Sequence, residues 1–159
     1  MTLIVEDGTG VANANSYVSS ANATTYATAR GYTFVSGVEQ NLILAMDYIE
    51  GLPFQGIKQQ MSQVLEFPRY KMYIDGYPLL SNTIPVQLIN GQIQVAMAID
   101  AGNSPLADLG RTTIKEKVGS LEVDYSASSA VNTINVQIRN SLYKLLTAGG
   151  ANSLRVSKA

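Results

Sequence analysis

Residues 66–100 read EFPRYKMYIDGYPLLSNTIPVQLINGQIQVAMAID, from Glu66 to Asp100, and the rest of the chain is organised around them. The stretch opens on an aromatic-Pro-Arg step (Phe67, Pro68, Arg69), turns at Asp75-Gly76 and stops again at Ile84-Pro85. Pro85 suits the first turn of a helix, where a missing N–H has no partner to lose. From there Val86, Ile89, Ile93, Ala96 and Met97 recur at helical spacing and make one apolar stripe. Leu88, Val95 and Ile99 form a second row round the cylinder, with Gln87, Asn90 and Gln94 between. Two rows predict a helix covered on both sides, by more of this chain or by another copy of it.

The chain has 159 residues, enough to bury a real core as one domain over residues 1–150, with a tail over 151–159. With 46% hydrophobic but only 14% charged residues, it is sparsely charged for a free-standing domain, so a partner is expected to cover part of the surface. There is no Cys, hence no disulfide framework or thiolate metal site, and no His, which removes the commonest general base and metal ligand together. The opening MTLIVEDG does not read as a signal peptide, and no apolar run approaches the ~18 residues of a membrane span. Net charge is −1, unevenly spread. Residues 1–50 carry five acids against Arg30 alone, whereas residues 111–159 carry seven bases against three acids. That is either ordinary surface variation or the mark of head-to-tail pairing between copies.

Along the chain, Thr2–Val5 is a β-prone arm that ends at the turn signal Glu6-Asp7-Gly8. Ser19 or Ser20 can cap a helix running to Arg30, stopped by Gly31. Val38–Glu50 is a firmer helix, with Leu42, Ala45, Met46 and Ile49 on one stripe. Residues 51–85 carry four of the five prolines and read as an irregular connection with a short helix around Gln59–Leu65. Thr112–Val118 and Leu121–Tyr125 read as a hairpin about Gly119-Ser120. Asn132 or Thr133 can cap a last helix with the stripe Ile134, Ile138, Leu142 and Leu145, ended by Gly149-Gly150. The fold class is therefore mainly α: a small bundle of about four helices, one β-hairpin, and extended N- and C-terminal arms.

Three motifs invite chemistry and have plainer readings. Gly8-Thr9-Gly10 resembles the start of a dinucleotide fingerprint but lacks the third glycine and the βαβ setting. Ser141-Leu142-Tyr143-Lys144 has the Ser-x-x-Lys spacing of acylating hydrolases without their companion boxes. Asp47 and Glu50 lie one turn apart with no further ligand nearby. No catalytic, metal or cofactor residue is expected, and the chain does not read as an enzyme. Only Phe67, Arg69, Tyr70, Lys71 and Tyr73, with Tyr77 close by, have binding character, since single-stranded nucleic acids are held by rings for stacking and cations for phosphates. The competing reading is a packed corner, with Arg69 held by a carboxylate or carbonyl and the aromatics over the core.

Leu3–Ser19 (LIVEDGTGVANANSYVS), the helix ending Ala29-Arg30-Gly31, the aromatic-Pro-Arg step, the Asp-Gly turn, the Ile-Pro helix start and the Val-x-Tyr strand carry a resemblance. In this order they are similar to the tailed-phage proteins labelled DnaT-like single-stranded-DNA-binding proteins, and to phage head–tail connector (adaptor or head-completion) proteins. The resemblance implies a structural virion protein in the neck, made in the host cytoplasm and assembled as a dodecameric ring beneath the portal. Its implied partners are other copies of itself, the portal protein, the next neck or tail protein, and double-stranded DNA passing without specific binding. There is no membrane among them. On that reading Leu154, Arg155, Val156 and Lys158 of the tail dock on the portal, and Leu3 and Val5 of the arm reach a neighbour. The alternative is a single-stranded-DNA-binding protein that uses Phe67, Arg69, Tyr70, Lys71 and Tyr73.

Overall fold

The structure, a computed structural model, describes residues 2–103, 115–118, 121–124 and 133–147. The central element is the helix α3 (Val86–Asp100), and α1 (Ser20–Thr28), α2 (Val38–Ile49) and α4 (Thr133–Leu142) all pack against it. Pro85 takes the cap position just before α3, where its carbonyl accepts from Leu88 N and Ile89 N at 3.0 and 3.2 Å. Leu88, Ile93, Val95 and Ala96 are fully buried and Val86 is exposed. Most of both apolar rows is thus covered from within the chain, with Ile89, Met97 and Ile99 partly buried against the core.

Between the rows sits Gln92, fully buried. Its Oε1 accepts from Tyr17 N at 2.9 Å, and its Nε2 donates to Ser16 Oγ at 2.9 Å and to the Leu42 carbonyl of α2 at 3.0 Å. One amide thereby ties α3, α2 and the N-terminal loop together, and each of its three contacts satisfies a group that water cannot reach.

The flanking helices follow from their sequences. Ser19 caps α1 by accepting from Asn22 N, and Ala23 and Ala27 press the small-residue face of α1 into the core. On α2 the expected stripe, Leu42, Ala45, Met46 and Ile49, is buried. On α4, Ile138 and Leu142 are buried, and a 3-10 turn (Tyr143–Leu145) continues the stripe to Leu145. Leu142 fills the space where a Cβ on Gly91 would lie, its Cδ2 only 2.6 Å from that position, so α3 and α4 touch backbone to side chain. At the far end of α3, Asp100 accepts from Tyr32 OH, Val35 N, Ser36 N and Oγ and Asn41 Nδ2, at 2.5–2.9 Å. The Ser36 and Val35 donors lead in holding its carboxyl well below the usual carboxylate range, although a negative charge there opposes the helix dipole.

The N-terminal stretch is extended and pairs with its own chain through a Val5–Ser16 bridge. Glu6 turns inward, and its carboxylate accepts from Gly8 N, Gly10 N and Val11 N at 2.9, 2.8 and 2.7 Å. Gly8 has φ +103°, and a Cβ there would lie 2.1 Å from the Asn82 carbonyl oxygen, so only glycine fits.

Residues 51–85 differ from expectation. No helix forms around Gln59–Leu65; the segment is instead a loop bonded by the Gln63 side chain. Its Oε1 accepts from Gln60 N, and its Nε2 donates to the carbonyls of Leu65 and Pro68 at 2.8 and 3.0 Å. Instead, β1 (Ile57–Lys58) pairs antiparallel with β2 (Arg69–Tyr70), and β3 (Tyr73–Ile74) with β4 (Tyr77–Pro78) across the expected Asp75-Gly76 turn. The expected hairpin is present as β5 (Lys115–Val118) and β6 (Leu121–Asp124), with Val118 opposite Leu121. No helix among the described residues is long and apolar enough to cross a membrane.

A buried polar chain anchors the 51–80 corner. Tyr17 OH donates to Glu50 Oε1 at 2.8 Å and accepts from Phe67 N at 3.0 Å, while Glu50 Oε2 accepts from Glu66 N at 2.7 Å. Burial, and after it the Glu50 charge, push the Tyr17 phenol far above its ordinary value; burial likewise raises the Glu50 carboxyl.

Two outcomes follow from these contacts. Gln92→Leu should lower stability by about 1–3 kcal/mol, because it strands the Tyr17 N–H in the core and takes one bond each from Ser16 Oγ and the Leu42 carbonyl; urea unfolding should show a lower midpoint at unchanged slope. A phenol raised on folding supports the folded state below the unfolded value of ~10 and withdraws that support as pH climbs above it. Wild-type stability should therefore fall above pH ~10 with a Tyr17 contribution of up to ~1.4 kcal/mol per pH unit, and Tyr17→Phe should remove that contribution from the alkaline slope.

Candidate nucleic-acid interface

The aromatic-basic cluster divides into a buried frame and an exposed face. Phe67 is fully buried, edge-on to Tyr17 (centroids 6.1 Å apart) and to Phe54 (5.1 Å), and a cis bond joins it to Pro68. Arg69 is only 7% exposed. Its Nε donates to the Gln55 carbonyl at 2.7 Å, and its terminal nitrogens reach the carbonyls of Gly56 (2.9 Å), Glu66 and Phe54 as well as the Glu66 carboxylate. A planar five-donor group suits this task, because it can close several loop carbonyls at once. Phe67 and Arg69 thus belong to the packed corner and cannot meet a ligand. Lys58 joins the same knot, 2.9 Å from Glu66.

What remains outside is a set of rings. Seven of the eleven large hydrophobic side chains exposed among the described residues lie between residues 57 and 80, Tyr70, Tyr73, Tyr77 and Leu80 among them. The register sets their directions. Tyr73 lies opposite Pro78 on one face of the β3–β4 ribbon, and Tyr77 lies opposite Ile74 on the other. Tyr73 is 59% and Tyr77 77% exposed, whereas Ile74 packs on the core. Lys71, at φ +58°, carries its ammonium 5.8 Å from the Tyr70 ring centroid and has no carboxylate partner among the described residues.

The C-terminal end of α4 completes the surface. Gln55 N donates to the Leu145 carbonyl at 2.8 Å, and Thr147 N to Pro53 O at 2.9 Å, which docks the 3-10 turn beside the corner. Lys144 Nζ meets Asp75 Oδ2 at the hairpin tip at 2.6 Å, and Tyr143 next to it is 62% exposed. The cluster as read from the sequence missed these two residues, since nothing local signals a contact across 69 positions. A helical stripe that leaves Tyr143 and Lys144 off its apolar face was the available hint.

The remaining candidates resolve separately. The fingerprint-like Gly8-Thr9-Gly10 loop does cradle an anion, but that anion is the chain's own Glu6 carboxylate. Ser141 Oγ donates to the Ile138 carbonyl at 2.7 Å and Lys144 is held by Asp75, so the Ser-x-x-Lys pair is spent on structure. Glu50 is committed to Tyr17 and Glu66, away from exposed Asp47. Leu3 packs against the core, and Val5 bridges Ser16. Leu154, Arg155, Val156 and Lys158 lie outside the described residues. No group of three or more potential metal ligands occurs among the described residues.

The family model that matches this chain does so over residues 1–159, and its description is "Putative DnaT-like ssDNA binding protein". No match to a curated protein or to a solved structure is found. The description names single-stranded DNA and neither a portal nor a neck. It corrects the expectation of a portal-bound, dodecameric connector ring with a distal tail partner, through which double-stranded DNA passes without binding. A match that runs the full length of the sequence decides the grouping: the chain belongs to the family of DnaT-like ssDNA binding proteins.

Proposed function

We propose that this chain is a binding protein for single-stranded DNA, without bond-making chemistry of its own, and that it holds bases on the exposed tyrosines of the 57–80 corner. The observation that carries the reading is the pair Tyr73 and Tyr77, displayed on both faces of a two-residue-per-strand ribbon above a frame locked by Arg69. Splayed bases offer flat faces to such rings whatever their sequence, and stacking is worth ~1–3 kcal/mol per base. Tyr70 with Lys71, and Tyr143 with Lys144, extend the surface and add the few cations it has. The family description supports the choice of ligand.

Charge sets the character of the binding. The net charge is −1, and Arg69, Lys58 and Lys144 are each already paired with a carboxylate. Phosphate contacts are therefore few, and stacking must carry most of the affinity. Binding to fluorescein-labelled oligo-dT, followed by anisotropy, should show a shallow salt dependence, with log K against log salt falling at a slope of about 1–2, as expected for ~2 phosphate contacts on a single strand. Tyr73→Ala and Tyr77→Ala should each weaken binding by about 1–3 kcal/mol and leave that slope unchanged. Duplex DNA of the same length, whose bases are already stacked, should bind more weakly. The absence of oligo-dT binding at low salt, or a loss equal for duplex and single strand, would rule the reading out.

A further inference from the structure

The Asp75–Lys144 pair stands apart from the other ion pairs of the corner. The Lys58–Glu66 and Arg69–Glu66 contacts belong to the buried frame, with side chains 9–34% exposed. Asp75 is 60% exposed, at the outermost point of the β3–β4 hairpin, between the two strands that carry Tyr73 and Tyr77. Its Oδ2 accepts from Lys144 Nζ at 2.6 Å, and this hydrogen bond leads the causes that raise the lysine's pKa and keep it charged. A carboxylate oxygen that meets an ammonium at this distance, at the turn of the ribbon that carries Tyr73 and Tyr77, takes the place a backbone phosphate oxygen could take. The pair is solvent-exposed, so it stabilises the fold little and can be removed without unfolding the chain.

Resting on the single-strand-binding reading above, we infer that Asp75 is a built-in phosphate surrogate: it occupies Lys144 and withholds that ammonium from the backbone of a strand stacked on the neighbouring tyrosines. The chain thereby holds back one phosphate contact and keeps its affinity for single strands low and exchangeable. Lys71 is the cation that needs no such release. The turn itself does not need the acid. Asp75 and Gly76 both have positive φ (+53° and +85°), a backbone that asparagine before glycine adopts at least as readily as aspartate does. Asp75→Asn therefore removes the charge and keeps the hairpin.

The test compares wild type, Asp75→Asn, Lys144→Gln and the double variant, each for oligo-dT binding across a salt series, with urea unfolding to confirm the fold. Asp75→Asn should bind about two- to fivefold more tightly at low salt, the range set by an exposed ion pair. Its salt slope should steepen by about 0.7, the value of one additional phosphate contact on a single strand. Lys144→Gln alone should stay close to wild type, and adding it to Asp75→Asn should cancel both gains. A gain that survives Lys144→Gln would reflect net charge alone and overturn the surrogate. Unchanged affinity and slope in Asp75→Asn, with Tyr73→Ala still weakening binding, would overturn the surrogate and leave the stacking reading in place. Binding by Asp75→Asn where wild type shows none would support both. Binding by neither would overturn both.

Discussion

The structure hangs on one amide. Gln92 is polar, fully enclosed, and set on the helix that the other three helices contact, so its hydrogen-bonding needs dictate where its neighbours sit. A buried donor and acceptor without partners would cost a few kcal/mol, comparable with a large part of a domain's net stability. The N-terminal loop must therefore bring Ser16 and Tyr17 to it, and α2 must bring the Leu42 carbonyl. Hydrophobic rows alone would let α1 and α2 slide along α3; the amide specifies one register.

From that point the order propagates to the 51–80 corner. Placing Tyr17 also places its hydroxyl between Glu50 and the Phe67 N–H, and Glu50 in turn holds the Glu66 N–H. Glu66 then holds Lys58 and Arg69, and Arg69 closes the carbonyls of residues 54–56. The corner has hardly any regular structure to stiffen it, with four strands of two residues each. Side-chain hydrogen bonds do what long ladders do elsewhere, and they hold short ribbons rigid enough to present rings at fixed positions.

The same economy explains why the surface is not basic. Arg69 is consumed inside, Lys58 at the rim and Lys144 at the hairpin tip, which leaves Lys71 as the cation of the cluster without a carboxylate partner among the described residues. A corner that spends three of its cations on architecture offers few of them to an anionic partner. On the proposed reading, the exposed tyrosines would supply an attraction that depends little on charge and tolerates any base, at the cost of leaving apolar surface in water.

The sequence by itself determined the helices and their buried faces. Leu42, Ala45, Met46 and Ile49 repeat at 3.6-residue spacing, as do Ile138, Leu142 and Leu145, and burial of such a stripe is dictated locally by periodicity. It also determined the Asp75-Gly76 turn, whose backbone demands those residue types. The tertiary structure alone decided the meaning of the polar residues. Arg69 reads identically in sequence whether it faces a phosphate or five loop acceptors, and Gln92 looks like any helix-surface glutamine. Gln63 replaces the short helix expected around it with a side-chain-bonded loop. Glu6 fills the glycine-rich cradle, and Asp75 finds Lys144 across 69 residues. Apolar burial is set by spacing along a single element, which a linear pattern records. A polar group's role is set by whichever partner lies within 3 Å, and that partner comes from another part of the chain, brought there only by the fold.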